Sequence, residues 1–458
     1  MTDQNERSYL ELGLQQAESP LWVIPRDLCT RCGACHVICP TNVVRFEDEY
    51  PFIQTGGCID CGLCLDVCPG IEFNLQEMHR EMYQADYDPT KMGGHYRQAY
   101  VGFSSRPDVR KEGASGGVVT QMLIHLLREG MIDGAIVIGS SPDDPTIPMP
   151  FIARTEAEIL EAAQSKYSVV ANTKVLRDLR KTKERFAFVG VACQIHGLRK
   201  LQKLNKRMAE RCVLTIGLAC RGTLERQATR DLLQVQGVNL EQVQKLEYRG
   251  GPFPGKFRAR YKDGSIQELS PFEFKDGAFL NLMRLYMPPR CHLCPDYSAE
   301  FADISCSDIF LGGKDGDYRY KQGTTVVVCR TEKGEQILKG MVEKGALYLD
   351  PIQPETLEMS YSHVRRHRKA IPFLRIQDLR RAGRPAPEYG IEVKTKFSDR
   401  IYDLFYRATY FFTPFPRLKI LILRFLYSPL GTALIGLKVS VKKVRRGLKA
   451  RKAWSRGA

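Results

Sequence analysis

Eight of the fifteen cysteines fall in two runs of identical spacing, CTRCGACHVICP and CIDCGLCLDVCP. Cys29, Cys32, Cys35 and Cys39 repeat as Cys58, Cys61, Cys64 and Cys68, each run closed by a proline, Pro40 and Pro69. Three thiolates at three-residue steps wrap a tight loop round one iron–sulfur cube. The fourth, four positions on, is carried away by a helical turn to a second cube. This spacing assigns Cys29, Cys32, Cys35 and Cys68 to one [4Fe–4S] cluster, and Cys58, Cys61, Cys64 and Cys39 to another. Gly33 and Gly62 fit where backbone N–H groups approach sulfide closely. Zinc takes four ligands in two pairs and fits interleaved runs poorly. Disulfides belong to oxidising compartments and small secreted scaffolds.

Seven cysteines lie outside these runs: Cys193, Cys212, Cys220, Cys291, Cys294, Cys306 and Cys329. Cys193 follows one apolar strand and Cys220 the next. Strand ends of a parallel sheet face one crevice, so both could meet the Cys291-His292-Leu293-Cys294 hook at a third cluster. The other readings of that hook are a redox dithiol or zinc. Cys212 and Cys329 sit within apolar strands and read as core thiols; Cys306 stays open. His196 and His292 flank these cysteines and read first as packed histidines. Gly113-Ala114-Ser115-Gly116-Gly117, between a strand and a helix, has the small residues that let an anion meet backbone N–H groups, although a plain tight turn has the same composition.

The elements that must position these residues change character along the chain. Residues 1–20 form a polar lead-in, helical at SYLELGLQQA, and residues 21–80 the ferredoxin-type module, with NVVRFEDEYPFIQ as a hairpin between its cysteine runs. From Tyr100 the texture is α/β. AYVGFSS, IDGAIVIGS, RFAFVGV and CVLTIGLAC read as strands. The stretch around 118–127 has helical spacing and stops at Gly130, and TEAEILEAAQSKYS opens on a Thr155/Glu158 capping box. This alternation predicts a mostly parallel sheet covered on both faces. Residues 245–270 instead read as antiparallel, with Asp263-Gly264 as a hairpin turn. The fold class is thus α/β: an α+β ferredoxin module fused to an α/β body with a mixed sheet, plus a basic C-terminal tail. Residues 360–400 read as basic and loop-rich.

The bulk composition, 43% hydrophobic and 26% charged, is that of a globular protein. The acidic, polar N-terminus lacks a signal-peptide pattern, and no run approaches 18 uninterrupted apolar residues; a reducing cytoplasm is expected. Of the net charge of +16, twelve positive charges and no acidic residue fall from Arg417 onward, which leaves +4 on the preceding 416 residues. The basic character therefore belongs to the tail. Its Lys and Arg residues interleave with Leu, Ile and Phe, which suits peripheral contact with an anionic membrane or a partner subunit. Nucleic acid ranks third, because no nucleic-acid motif accompanies the charge.

From about Tyr100 to Gly345 the chain resembles the beta-subunit family of coenzyme F420-reducing hydrogenases and dehydrogenases. The motifs that carry the resemblance are GASGGVVT at 113–120, QSKYS at 164–168, VGVACQ at 189–194, IGLACRG at 216–222, YRGGPFPG at 248–255 and CHLCPDYSAEFADISCSD at 291–308. It implies domains at 97–180 and 181–355, with an extension at 360–458. It also implies FAD and a third [4Fe–4S] cluster held by Cys193, Cys220, Cys291 and Cys294. Ser115, Gly116 and Gly117 would lie against the flavin's phosphates, Lys166 and Tyr167 would line its site, and the family's acidic stretch maps onto Asp303 and Asp308. Two departures stand out: Ala192 where the family has proline, and Cys306-Ser307 where it has a small or apolar residue and glycine.

The implied function is an oxidoreductase that passes electrons between a hydride carrier of the coenzyme F420 type at FAD and one-electron clusters, with ferredoxin or a redox subunit as partner. Two alternatives remain at this level. One is a ferredoxin-fed reductase of a pigment, lipid or cell-envelope intermediate. The other is a non-catalytic electron-transfer subunit.

Overall fold

The computed structural model describes residues 21–54, 56–273, 278–309, 323–410 and 414–454. The lead-in at 1–20, with its expected helix, lies outside the described residues.

The N-terminal module is a three-stranded antiparallel sheet, β1 (Leu21–Trp22), β2 (Val44–Glu47) and β3 (Tyr50–Ile53), in the order β1-β3-β2. The expected hairpin pairs Val44 with Ile53 and Glu47 with Tyr50. Asp48 and Glu49 make its turn at φ 49° and 64°, the sign that a tight two-residue hairpin loop requires. Each cysteine run feeds a short helix, Ala34–Ile38 or Leu63–Asp66, entered through a left-handed glycine, Gly33 at φ 96° or Gly62 at φ 71°. Helix Leu75–Tyr83, capped by Asn74, leads out of the module.

The body strands are β4 (Gln98–Ser104), β5 (Gly134–Ser140), β6 (Pro148–Ala153), β7 (Phe186–Val191) and β8 (Cys212–Leu218). A separate antiparallel sheet follows, β9 (Val243–Gly250), β10 (Lys256–Tyr261) and β11 (Ile266–Glu268), turning at Asp263-Gly264 as the sequence predicts. Then β12 (Ile304–Asp308), β13 (Thr325–Cys329) and β14 (Leu347–Pro351) rejoin the large sheet, whose order is β14-β4-β13-β12-β8-β7-β5-β6.

Only the three pairings within β12-β8-β7-β5 are parallel; the other four pairings are antiparallel. The sheet is mixed, as the fold class has it, but the mostly parallel sheet read from the strand–helix alternation is corrected. A parallel crossover needs a dozen or more residues, and β6 returns from β5 through the short turn at Ser141–Ile147.

Alternate residues of the strands enter different cores, as the two-residue strand period requires. Ala135, Val137, Ala187, Leu214 and Ile304 pack under helix Val118–Arg128 on one face. Ile136, Phe186 and Phe188 pack on the other, with Ile195, Leu198 and Leu201 of helix Ala192–Leu204. Val23, Val37, Val67 and Phe73 of the N-terminal module share this second core. The N-terminal module is therefore packed into the body.

The loop-rich reading of 360–400 is also corrected. Residues 354–381 are almost wholly helical, ending in Ile371–Arg381, whose Phe373 and Ile376 enter the core of the module. Beyond it, Glu388 and Tyr389 lie along the module: Phe73 N–H donates to Glu388 O and Leu75 N–H to Tyr389 O, both at 2.9 Å. The run of Lys and Arg hid this helix from a composition reading, although Pro372 in its first turn and the apolar Ile371, Phe373, Leu374 and Ile376 mark it.

Candidate functional site

The parallel strands end on one cavity of about 870 Å³. Val189–Val191 of β7, Leu218 of β8 with the loop to Thr223, and Cys306–Asp308 of β12 form its wall. Ligand crevices of α/β sheets form at such carboxyl ends. Ser115, Gly117, Lys166, Tyr167, Asp308, Cys193 and Cys220 all line this one cavity, although they span nearly two hundred residues of sequence.

The glycine-rich loop is only partly on the wall. Gly116 N–H donates to Thr325 Oγ1 at 3.0 Å, and a Cβ on Gly116 would lie 2.6 Å from Gly102 O. Its amide is used to fasten the loop to β13, so Gly116 lies behind the cavity. Ser115 Oγ likewise donates to Thr324 O at 2.9 Å. A short helix, Pro107–Glu112, intervenes between β4 and the loop.

The capping-box helix stops at Glu161, sooner than its sequence suggests, and QSKYS runs along the cavity. Lys166 Nζ donates at 2.7 Å to both Ala162 O and Ala163 O, the open carbonyls at that helix end. Burial, reinforced by Lys245, pushes its amine down to about 7. Gln164 Oε1 and Ser168 Oγ, both on the cavity, are buried with no protein partner among the described residues. Buried polar atoms are normally satisfied, so such orphans fit a polar ligand. Asp308 accepts from Arg249 at 2.6 Å. Arg249, inside the YRGGPFPG motif, is a cavity residue that reading the motif for its glycines overlooked.

Cys193 sits in the first turn of helix Ala192–Leu204, not in a turn before it. Its thiol feels Cys294, Cys220 and Cys291, and then Cys32 of the N-terminal module. Cys220 feels the same hook, Cys291 and Cys294, and burial raises it to about 12. Cys306 lies in β12 on the cavity wall, and burial alone raises it to about 12. Asp303 does not line the cavity; it is buried behind it, accepting from Thr215 N–H at 2.8 Å.

The N-terminal cysteines form two groups. Cys29 feels Cys68 and Cys32, and Cys35 feels Cys32, Cys29, Cys68 and Cys64. Cys58 feels Cys39. Cys29, Cys32, Cys35 and Cys68 are all buried, whereas Cys58 and Cys61 are exposed. None of the fifteen cysteines is paired in a disulfide. Among the described residues, no group of three or more His, Cys, Asp or Glu side chains closes up as for a single metal ion.

Two buried arginines support the cysteine groups. Arg368 donates to Cys291 O and Cys294 O, both at 2.9 Å. Arg290 donates to Leu28 O at 2.9 Å and to Tyr389 Oη at 3.0 Å. Among the described residues neither has a carboxylate partner. Uncompensated buried cations are costly, and they suit an anionic thiolate cluster beside them. His196 is a packed histidine: it stacks on Phe73 at 3.8 Å and bonds Asp296 at 3.0 Å.

A cavity at the ends of the parallel strands of a mixed sheet, bordered by grouped cysteines, fits an iron–sulfur protein of the α/β class. The chain belongs to the coenzyme F420 hydrogenase/dehydrogenase beta-subunit family. It matches the N-terminal family domain over residues 99–177 and the C-terminal one over residues 183–355, and a 4Fe-4S dicluster domain over residues 21–69. It is 27% identical over 346 residues to a coenzyme F420-dependent sulfite reductase of Methanocaldococcus jannaschii, covering 72% of this chain and 48% of that protein. It thus spans about half the length of that relative. It is 28% identical over 269 residues to a coenzyme F420 hydrogenase subunit beta of Methanococcus voltae, covering 57% of this chain and 88% of that one. A chain of the F420-reducing [NiFe] hydrogenase complex from Methanosarcina barkeri shares the fold, with a TM-score of 0.52 and 23% identity over 66% of this chain and 98% of that one. These relatives place the chain among oxidoreductases.

Proposed function

We propose that the chain is a flavin and iron–sulfur oxidoreductase, with FAD in the cavity and three [4Fe–4S] clusters leading from it to the surface. One contact carries the reading. Helix Ala192–Leu204 brings Cys193 to the cavity and, one turn later, sets Gly197 against Cys32; a Cβ on Gly197 would lie 2.8 Å from the Cys32 sulfur. The cavity, the group of Cys193, Cys220, Cys291 and Cys294, and the group of Cys29, Cys32, Cys35 and Cys68 are therefore consecutive. The exposed Cys58 and Cys61, with Cys64 and Cys39, come last.

Bound there, flavin would exchange hydride with a two-electron carrier while the clusters take electrons singly. The residues' own work is binding and charge. Gln164 and Ser168 offer unspent hydrogen-bonding atoms to the ligand. Lys166, held by the helix end, presents a positive charge to the cavity below about pH 7 and a neutral amine above it. Arg249 fixes Asp308 at the wall, and Arg290 and Arg368 offset cluster charge. The names of the relatives support coenzyme F420 as the carrier. The exposed end of the relay suits a ferredoxin or redox subunit as the one-electron partner.

Anaerobic purification with iron, sulfide and flavin quantification tests the proposal, together with oxidation of reduced F420 by an artificial acceptor. About twelve irons follow from three four-iron cubes. No retained flavin and no turnover of reduced F420 would overturn the proposal in favour of the electron-transfer-subunit or ferredoxin-fed reductase readings.

A further inference from the structure

Helix Phe397–Ala408 has its polarity reversed. Asp399 and Asp403 are buried, bonded to Arg366 at 3.1 Å and to Arg375 at 2.6 Å respectively. Phe397, Ile401, Leu404 and Phe405, which share one helical face, point outward; Phe397 is 78%, Leu404 70% and Phe405 72% exposed. A helix on a water-facing surface turns its apolar stripe inward. The pattern recurs downstream. Helix Pro416–Leu426 is anchored by Leu423, which joins the core of Leu224 and Leu232, yet exposes Leu421 and Phe425. Helix Pro429–Trp454 exposes Leu430, Leu434, Leu437, Val441 and Val444, a stripe at helical spacing.

Charge selects the occupant. The chain from Arg417 onward carries twelve Lys and Arg and no acidic residue. A second copy would set like charge against like, whereas an anionic bilayer supplies both apolar depth and phosphate. We infer that these three helices seat the chain on the surface of an anionic membrane, apolar side chains in the headgroup–acyl boundary and cations against lipid phosphates. The seat is interfacial. Among the described residues no single helix is long and apolar enough to cross a membrane; Pro416–Leu426 and Pro429–Val441 reach that length and composition only as a pair, and the pair is bent by 70°.

The test is flotation of the full chain, purified anaerobically, with phosphatidylglycerol-containing vesicles and with pure phosphatidylcholine vesicles. Flotation is expected with the first and at least tenfold less with the second, weakened by salt and released by alkaline carbonate. The triple variant Phe397→Ser, Leu404→Ser, Phe405→Ser should lose at least tenfold of the binding while keeping its iron content. Leu430→Ser with Leu437→Ser should behave alike. No flotation, or equal flotation by both variants, overturns the inference. So does a wild-type dimer that the triple variant dissociates without any flotation, which would make the face a contact between copies. Resistance to carbonate would overturn the interfacial mode. These readouts do not depend on the proposed redox chemistry.

Discussion

Gly197 touches Cys32: a Cβ built on the glycine would fall 2.8 Å from the sulfur. The helix that lines the cavity with Cys193 is thereby pressed onto the first N-terminal cysteine group. A Gly197→Ala substitution should push the two apart. Overpacking of this kind costs roughly 1–3 kcal/mol, and the nearest group to suffer is that of Cys29, Cys32, Cys35 and Cys68. Iron content should fall from about twelve toward about eight per chain, read by colorimetric iron assay. An unchanged iron content with unchanged cluster reduction kinetics would show that the contact is incidental.

Cys193→Ser should remove one cube's worth of iron, about four atoms, and leave the N-terminal groups loaded. Cys306→Ala should keep full iron, because that thiol lies in β12 with burial as its sole influence. Comparing the two variants by iron analysis and low-temperature electron paramagnetic resonance separates a ligand from a wall residue.

Arg368→Met keeps the bulk of the side chain but removes a buried positive charge bonded to the carbonyls of Cys291 and Cys294. A reduced cluster is more negative, so losing the cation disfavours reduction. The midpoint potential of the adjacent cluster should drop by on the order of 60 mV, a tenfold change in a one-electron equilibrium. Redox titration reads it; a potential that rises or stays would exclude this electrostatic role.

The buried Arg249 pairs with the partly buried Asp308 at 2.6 Å. Arg249→Met leaves Asp308 uncompensated at the cavity wall, with an expected cost of about 3–5 kcal/mol. The double variant Arg249→Met with Asp308→Leu should recover much of it. Urea unfolding of the two variants checks the difference, and flavin retention should fall in the single one.

Lys166 gives a pH signature in the cofactor-free chain. Burial brings its folded pKa to about 7, against roughly 10.4 when free in water. Between those values the unfolded chain holds a proton that the folded chain lacks, so stability rises with pH across that window and is flat outside it. The slope is at most about 1.4 kcal/mol per pH unit. Lys166→Met should flatten it, as measured by chemical unfolding at pH 7.5 and 9.0. Equal slopes in both proteins would show that Lys166 stays protonated in the fold.

The sequence by itself determined the parts whose information is local. Two cysteine runs of fixed spacing mark a 4Fe-4S dicluster domain and give the expected ligands of its two cubes, because the reach of a tight loop and one helical turn is set within a dozen residues. The hairpin between them, the Thr155/Glu158 capping box and the Asp263-Gly264 turn were legible for the same reason: each depends on neighbours a few positions away. The cavity residues from Ser115 to Asp308 were named through motifs.

Only the tertiary structure decided what depends on distant partners. It drew Cys193 and Cys220 to one cavity wall, put Gly116 behind it, and packed the iron–sulfur module into the core of the sheet. It made Arg368 and Arg290 supports of the cysteine groups, although Arg368 looked like an ordinary charge in a basic stretch and Arg290 a lone cation beside the Cys291–Cys294 hook. It turned the acidic face of helix Phe397–Ala408 inward. The physical reason is common to all of these. A buried charge is tolerated only where a distant partner meets it, and a helix's amphipathic pattern says that it has two faces without saying which one the rest of the chain will cover.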